Sequence, residues 1–110
     1  MTPQQALALY RSVGAAVLAN DWPDLTQRQL AILLEVYLSP PPHTVRGLAE
    51  KLDISKPAVS RALDRLGQLE FAKRKTDAAD RRSVLVQRTV KGSVFLREFG
   101  DLASNLARQL

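Results

Sequence analysis

Two short amphipathic segments joined by a tight turn constrain the fold of this chain more than any other feature. Thr44 is a good N-terminal cap for the segment VRGLAEKL, which carries an apolar face for about two helical turns. Asp53-Ile54-Ser55 follows as a turn, since aspartate is one of the few residues besides glycine that tolerates a left-handed conformation. Ser55 caps a second helix, and Pro57 lies in its first turn, where a missing N–H costs little. The pattern predicts two helices joined by a tight turn.

Helices are also predicted before this pair. The segment 4–20 carries an apolar stripe at helical spacing. Thr26 and Gln29 form a capping box for a helix over residues 27–38, whose apolar residues nearly encircle its axis. Pro40-Pro41-Pro42 ends that helix, because proline lacks the N–H donor and disfavours helix in the preceding residue. The encircling pattern predicts that helix 27–38 forms the centre of the core.

Two short strands follow, FAKRKT at 71–76 and SVLVQRT at 83–89, on either side of the charged segment DAADRR. The Val-Leu-Val run and the Asp-rich turn predict a hairpin with a charged tip. Thr89 then caps a last helix. The order helix, helix, short extended step, helix, turn, helix, hairpin, helix predicts a winged helix-turn-helix, a mainly α fold with a small β-hairpin wing (α+β).

The formal net charge of +5 is concentrated in the centre of the chain. Residues 55–88 carry nine cations and four anions, whereas residues 1–40 carry a net charge of −1 and residues 91–110 a net charge of +1. A basic excess confined to one helix and one hairpin favours a polyanionic partner. On charge alone, a solvated face that serves solubility is the open alternative.

Composition excludes several classes of protein. The 110 residues suffice for one domain, 1–110, and the lack of cysteine excludes a disulfide scaffold, a zinc–cysteine site and a thiol nucleophile. The only histidine, His43, has no carboxylate or serine at a suitable spacing, and there is no glycine-rich phosphate loop. We therefore predict no enzyme activity, no cofactor and no metal. The absence of a signal segment or of an apolar run of about 20 residues predicts a soluble, cytoplasmic protein.

A winged helix-turn-helix places the second helix of the pair in the DNA major groove and the hairpin near a minor groove. Arg61 points furthest from the apolar stripe and is the best candidate for a bidentate contact to guanine. Ser55 is explained by capping alone, and an ion pair of Arg65 with Asp64 or Glu70 is as good an explanation as DNA. The predicted DNA-binding residues of helix 56–69 and wing 76–84 are Ser55, Lys56, Pro57, Ser60, Arg61, Arg65, Lys73, Arg74, Lys75, Asp80, Arg81 and Arg82.

The run LAEKLDISKPAVSRALDRL followed by KRKTDAADRRSVLVQRTVKG resembles the MarR family of bacterial winged-helix transcription regulators, over roughly residues 26–96. The wing carries the most specific part of the resemblance, in Asp77, Asp80, Arg81, Arg82, Val84, Leu85, Val86, Thr89 and Gly92. The resemblance implies that Arg82 is the wing-tip residue and that Asp80 braces it. Glu70 departs from the family, which usually has glycine after the recognition helix. The missing thiol excludes the redox-sensing version of the family, and short terminal helices argue against its small-molecule effector pocket.

Dimerisation is predicted because one helix-turn-helix contacts only one half-site, whereas a symmetric dimer places two recognition helices about 34 Å apart. The lobe 26–89 would bind DNA, and the terminal helices 1–20 and 90–110 would dimerise. The predicted interface residues are Leu7, Tyr10, Val17, Phe95, Phe99, Leu102, Leu106 and Leu110. The alternative is that these apolar stripes pack within their own chain.

Together these features predict a sequence-specific regulator of transcription that binds double-stranded DNA as a homodimer on an inverted repeat. An alternative is a winged-helix adaptor that docks on another protein, because the fold alone does not decide between the two. RNA binding is a weaker third interpretation, since Tyr10, Trp22 and Tyr37 all lie outside the basic third of the chain.

Overall fold

The computed structural model describes all residues 1–110 and contains five helices and one three-stranded sheet. This arrangement confirms the predicted fold class. In chain order the elements are α1 (Pro3–Ala19), α2 (Gln27–Leu38), β1 (His43–Thr44), α3 (Val45–Leu52), α4 (Lys56–Gln68), β2 (Ala72–Thr76), β3 (Val84–Arg88) and α5 (Val90–Arg108).

The residues divide into two compact units. One comprises Met1–Asp24 and Phe95–Leu110, and the other comprises Leu25–Val94. Thirteen of the fourteen buried apolar residues belong to Leu25–Val94, the exception being Phe95. The hydrophobic core therefore lies in the unit that contains the helix-turn-helix and the hairpin.

Three side-chain caps set the starts of the helices in this unit. Thr26 accepts a hydrogen bond from Gln29 N at 3.2 Å and Gln29 Oε1 accepts from Thr26 N at 3.0 Å, which completes the predicted capping box of α2. Thr44 Oγ1 and Ser55 Oγ accept from the backbone N–H groups three residues on, at 2.9 and 3.2 Å. Local sequence signals thus place each helix start correctly.

The buried face of α2 is narrower than its sequence suggests. Ile32, Leu33 and Val36 are fully buried, whereas Leu38, in the last turn, is 80% exposed. The encircling apolar pattern predicts that α2 is buried on all sides. This prediction is wrong at the C-terminal end of the helix, where Leu38 faces solvent. Similarly, Leu69 of the predicted α4 stripe is only half-buried, because it is the C-cap residue beyond the helix.

The turn between α3 and α4 has the predicted geometry. Asp53 adopts φ 54° and ψ 48°, the left-handed conformation, and ends α3. Ile54 N donates to Ala49 O at 3.1 Å, which satisfies a carbonyl of the last helical turn. Five apolar residues of α4 are buried, namely Ala58, Val59, Ala62, Leu63 and Leu66.

The sheet has the order β1-β3-β2, and both pairings are antiparallel. β2 and β3 form the predicted hairpin, with Arg74 opposite Val86. The sequence pattern predicts only a short extended step at His43. In the structure His43 and Thr44 form a strand of the sheet, with His43 opposite Val86 and Thr44 opposite Leu85. The third strand therefore ties the start of α3 to the hairpin.

A hydrogen-bonded junction holds the start of α5 against the ends of α2 and α4. Tyr37 Oη accepts from Thr89 N at 2.9 Å and donates to Phe71 O at 2.8 Å. Thr89 Oγ1 donates to Glu70 O at 2.6 Å and accepts from Gly92 N at 3.0 Å, which confirms it as the cap of α5. Two side chains thus anchor the first turn of α5 in this unit.

The other unit is built from α1 and the later turns of α5. Trp22 packs edge-on against Phe95, with ring centroids 5.8 Å apart, and its ring centroid lies 6.2 Å from that of Phe99. Helix α1 has no buried residue, and Thr2 and Gln5 form a capping box at its start that was not among the predicted caps. No helix of the chain is both long enough and apolar enough to cross a membrane.

Candidate nucleic-acid interface

The basic excess belongs to one of the two units. Leu25–Val94 carries thirteen Lys and Arg against seven Asp and Glu, a net charge of +6, whereas the other unit carries three against four, a net charge of −1. The seven carboxylates include four that each lie within 4 Å of one cation, in the pairs Glu35–Lys51, Asp64–Arg74, Glu70–Lys91 and Asp80–Arg82. The nine cations of this unit without a carboxylate within 4 Å give it a positive potential that would attract a polyanion.

Helix α4 turns its polar residues outward. Lys56, Pro57, Arg61 and Arg65 are exposed, and Ser60 is half-buried at the edge of the apolar stripe. Ser55, also exposed, uses its hydroxyl to cap α4. The first two turns of α4 thus offer cationic donors to solvent while the opposite side is packed in the core.

Arg65 has no acidic partner. Asp64 pairs with Arg74 of β2, and Glu70 pairs with Lys91 of α5 at 3.7 Å. The alternative that Arg65 is neutralised by either carboxylate is therefore wrong, because strand β2 and helix α5 supply nearer cations. Its guanidinium remains available to a phosphate.

A cleft of about 430 Å³ lies between the starts of α3 and α4 and the hairpin. We call it the wing cleft; its charged and hydroxyl-bearing walls include Arg46, Lys56, Ser60, Arg74, Asp80 and Arg82. Four cations thus face one carboxylate, and that carboxylate already contacts Arg82. The wing cleft brings together predicted site residues from α4, from β2 and from the wing tip.

Arg74 links the hairpin to α4. It lies opposite the buried Val86 and therefore on the sheet face that meets α4, where its guanidinium donates to Asp64 Oδ1. The two side chains are 38% and 60% exposed, so the pair contributes about 1 kcal/mol or less to stability. The pair connects the hairpin to α4 through one charge-assisted hydrogen bond.

The remaining strand cations do not reach the wing cleft. Lys73 and Lys75 alternate with Arg74 along β2 and so project from the opposite face of the sheet. Arg88 donates through Nε to Val36 O at 2.8 Å and through Nη2 to Ser39 O at 2.9 Å, where it caps the C-terminal end of α2. Cations that are close together in the sequence thus lie on different surfaces: Lys73 and Lys75 on one face of the sheet, Arg74 on the other, and Arg88 at the end of α2.

The wing tip is an ordered loop that presents two arginines. Asp77 Oδ1 accepts from Ala79 N at 2.9 Å, and Asp80 Oδ1 accepts from Arg82 N at 3.0 Å, so each aspartate closes a short turn. Asp80 Oδ1 also lies 3.7 Å from Arg82 Nε, while the Arg82 side chain is 96% exposed. Asp80 thus restrains Arg82 without burying it, and Arg81 beside it is exposed as well.

A smaller cleft of about 130 Å³ lies on the α2 side of α4. We call it the α2 cleft; Thr26, Arg28 and Gln29 of α2 face Ala58, Arg61 and Ala62 of α4 across it. Sequence reasoning missed Arg28 here and Arg46 in the wing cleft. Each stands two residues after a capping threonine, a signal that by itself predicts only a helix start.

These features define a winged helix-turn-helix protein whose helix-turn-helix unit carries a basic face. The sequence profile of the MarR family matches residues 24–83, more than half of the chain. The chain therefore belongs to the MarR family, as its wing residues indicate. A comparison with curated proteins finds no match.

Solved structures share the fold at low sequence identity. The transcriptional regulator Tm0710 from Thermotoga maritima is 24% identical, with a TM-score of 0.77 over 96% of this chain and 72% of that one. MepR of S. aureus in its DNA complex is 20% identical, with a TM-score of 0.79 over 94% and 82%. The transcriptional repressor CouR, bound to a 23-mer DNA duplex, is 24% identical, with a TM-score of 0.76 over 96% and 72%. At these identities the likeness concerns the fold.

Proposed function

We propose that this chain is a sequence-specific transcriptional regulator that binds double-stranded DNA, with α4 in the major groove and the wing at a minor groove. The observation that carries the proposal is the wing cleft, where four cations, one each from α3, α4, β2 and the wing tip, converge beside the exposed face of α4. MepR and CouR, which share this fold, are both solved with DNA and support the same use of the surface.

The size of α4 supports its placement. An α-helix with side chains is about 10–12 Å across, and the major groove of B-DNA is about 12 Å wide. Arg61 projects from the exposed face, in the half of α4 that would enter first, and offers two parallel donors to the acceptors of guanine. Arg61 would therefore read a base.

The wing supports a different kind of contact. Asp80 holds the backbone N–H of Arg82 and lies beside its guanidinium, which reduces the number of directions in which Arg82 can point. A narrow minor groove has an enhanced negative potential that attracts arginine. Such a contact distinguishes individual base pairs poorly. Arg82 would therefore add affinity with little preference for sequence.

Selection of bound duplexes from a random pool tests this assignment. Arg61→Ala is expected to lose roughly 1–3 kcal/mol of discrimination at one or two positions of the selected motif. Arg82→Ala is expected to weaken selected and unrelated duplexes by a similar factor. Arg97→Ala removes an exposed cation of the other unit and serves as the matched control. Parental binding by both test variants would contradict the assigned surface.

We also propose that the regulator is a homodimer on an inverted repeat. Helix α1 has no buried residue, and Leu7 and Tyr10 on it are 71% and 79% exposed. Val17, Phe99, Leu102 and Leu106 are half-buried, and Leu110, beyond the end of α5, is 45% exposed. Phe95 is buried against Trp22, so it supports the fold of its own unit and offers no surface to a second chain.

Sedimentation equilibrium at micromolar concentration is expected to give twice the chain mass of 12.2 kDa. Tyr10→Glu should shift the equilibrium to the monomer, because it places a charge in the apolar contact. Gln4→Glu adds the same charge on α1 at an exposed polar position and should leave the dimer intact. A parent that sediments as a monomer at that concentration would contradict the dimer.

The exposed apolar residues of α1 also suit an adaptor that docks on another protein. One pair of experiments separates the two functions. If duplex selection returns no motif while a pull-down returns one stoichiometric protein, the adaptor replaces the regulator.

A further inference from the structure

Helix α4 is flanked by clefts on both sides. Lys56 and Ser60 line the wing cleft, whereas Ala58, Arg61 and Ala62 line the α2 cleft. At 3.6 residues per turn these two sets point roughly 170° apart around the helix axis. The apolar stripe lies between them on the inner side, and the exposed face of α4 lies between them on the outer side.

Each cleft contains one arginine from a helix that precedes α4. Arg46 of α3 lies in the wing cleft, and Arg28 of α2 lies in the α2 cleft. Both side chains are exposed, and neither forms an ion pair or a hydrogen bond within the chain. By contrast, Lys51, on the same helix as Arg46, is neutralised by Glu35 at 3.5 Å.

The geometry of the DNA duplex suggests the same role for both arginines. Because α4 nearly fills a groove about 12 Å wide, the two phosphate strands that border the groove must run along its two flanks. The flanks of α4 are where Arg28 and Arg46 lie. Unpaired arginines at such a place meet phosphate oxygens in bidentate geometry.

We propose that Arg28 and Arg46 are phosphate contacts that hold the two backbone strands on either side of the recognition helix. The inference deepens the proposed function and rests on it. It adds to the recognition helix and the wing a third group of contacts, from the first turns of α2 and α3. Because phosphates are the same in every sequence, these two residues set the position and affinity of the complex and do not read bases.

Salt titration of DNA binding tests the proposal. The slope of log K against log salt becomes less steep by about 0.9 for each phosphate contact that is lost, which is about 1.8 when both chains of a dimer lose one. Arg28→Ala and Arg46→Ala should each show this decrease, so that the weakening of binding between 50 and 200 mM salt becomes about 3.5-fold smaller for each phosphate that is no longer bound. The decrease should be the same on the selected duplex and on an unrelated one. The selected motif itself should not change.

Lys51→Ala is the matched control, since it removes one positive charge from the same helix as Arg46 but lines neither cleft. It should keep the parental slope. If the parent binds duplexes but Arg28→Ala and Arg46→Ala keep its slope, this inference fails and the proposed function stands. A decrease in only one of the two variants overturns the two-sided contact. A parent that binds no duplex overturns both proposals, and circular dichroism establishes that each variant is folded.

Discussion

Gly92→Ala is expected to lower the free energy of unfolding by about 3 kcal/mol, at the upper end of the usual cost of overpacking. A Cβ at this position would lie 2.1 Å from Tyr37 Oη and 2.2 Å from Phe71 O. Neither neighbour can move freely, because Tyr37 Oη is bonded to Thr89 N and to Phe71 O itself. For a domain of this size the destabilisation corresponds to a fall in Tm of at least about 12 °C.

The requirement for glycine here is one of space. No glycine of the chain has a positive φ, so the backbone of residue 92 would accept any L-residue. A Cβ at Gly100, on the same helix α5, would have no atom within 4 Å, and alanine there should raise stability by about 0.5–1 kcal/mol. Denaturant unfolding measures the free energy of unfolding of both variants. It separates the cost of the steric clash at residue 92 from the gain in helix propensity at residue 100. Equal stability of both variants would contradict the steric explanation.

Tyr37→Phe separates the two parts of the Gly92 contact. Removing the hydroxyl takes away the acceptor of Thr89 N and one donor to Phe71 O, at a cost of about 1–3 kcal/mol. It also removes the atom nearest to the new methyl group. Gly92→Ala should therefore cost less in the Tyr37→Phe background than in the parent, and the double-mutant cycle measures this coupling.

Signals that act over three or four residues could be predicted from sequence. Thr26, Thr44 and Ser55 each cap the next helix through a backbone N–H three residues on, so the cap and its helix are visible in one short segment. The left-handed Asp53 is local in the same sense. The starts of α2, α3 and α4 followed from these positions.

Contacts between distant segments could not be predicted in this way. The Asp64–Arg74 pair depends on the register of β2 and β3, and the bond of Tyr37 to Thr89 spans 52 residues. The pleat also separates Arg74 from Lys73 and Lys75, although the sequence pattern groups all three in one DNA-binding set. Arg28 and Arg46 belong to the candidate site only because the fold places their helices beside α4.

Glu70 adopts a backbone conformation that glycine favours. It adopts φ 62°, the left-handed region that favours glycine, the residue the family usually has here. The conformation costs a non-glycine residue roughly 1–2 kcal/mol. Its carbonyl accepts the Thr89 hydroxyl and its N–H donates to Gly67 O at 3.0 Å, so the junction at the start of α5 compensates for the strain.

DNA binding is expected to weaken by about 10⁵-fold between 50 and 200 mM salt if the protein binds as a dimer. This figure assumes that three further exposed cations, Lys56, Arg65 and Arg81, meet phosphates together with Arg28 and Arg46, which makes five contacts for each chain. At about 0.9 per contact, the slope of log K against log salt is about −4.5 for one chain and about −9 for two. Fluorescence anisotropy of a labelled duplex across this range measures the slope, and unfolding in the same buffers is the control for stability.

The measured slope distinguishes a dimer from a single bound chain, and a DNA-binding regulator from an adaptor. A value near −9 corresponds to about ten phosphate contacts, twice the five that are proposed for one chain, so it would support two chains on one duplex. A value near −4.5 with a one-to-one stoichiometry would place a single chain on a half-site and contradict the dimer. A value near zero would contradict both, because an arginine-rich face that releases no counterions does not lie on phosphates, and the adaptor function would then account for the exposed apolar residues of α1.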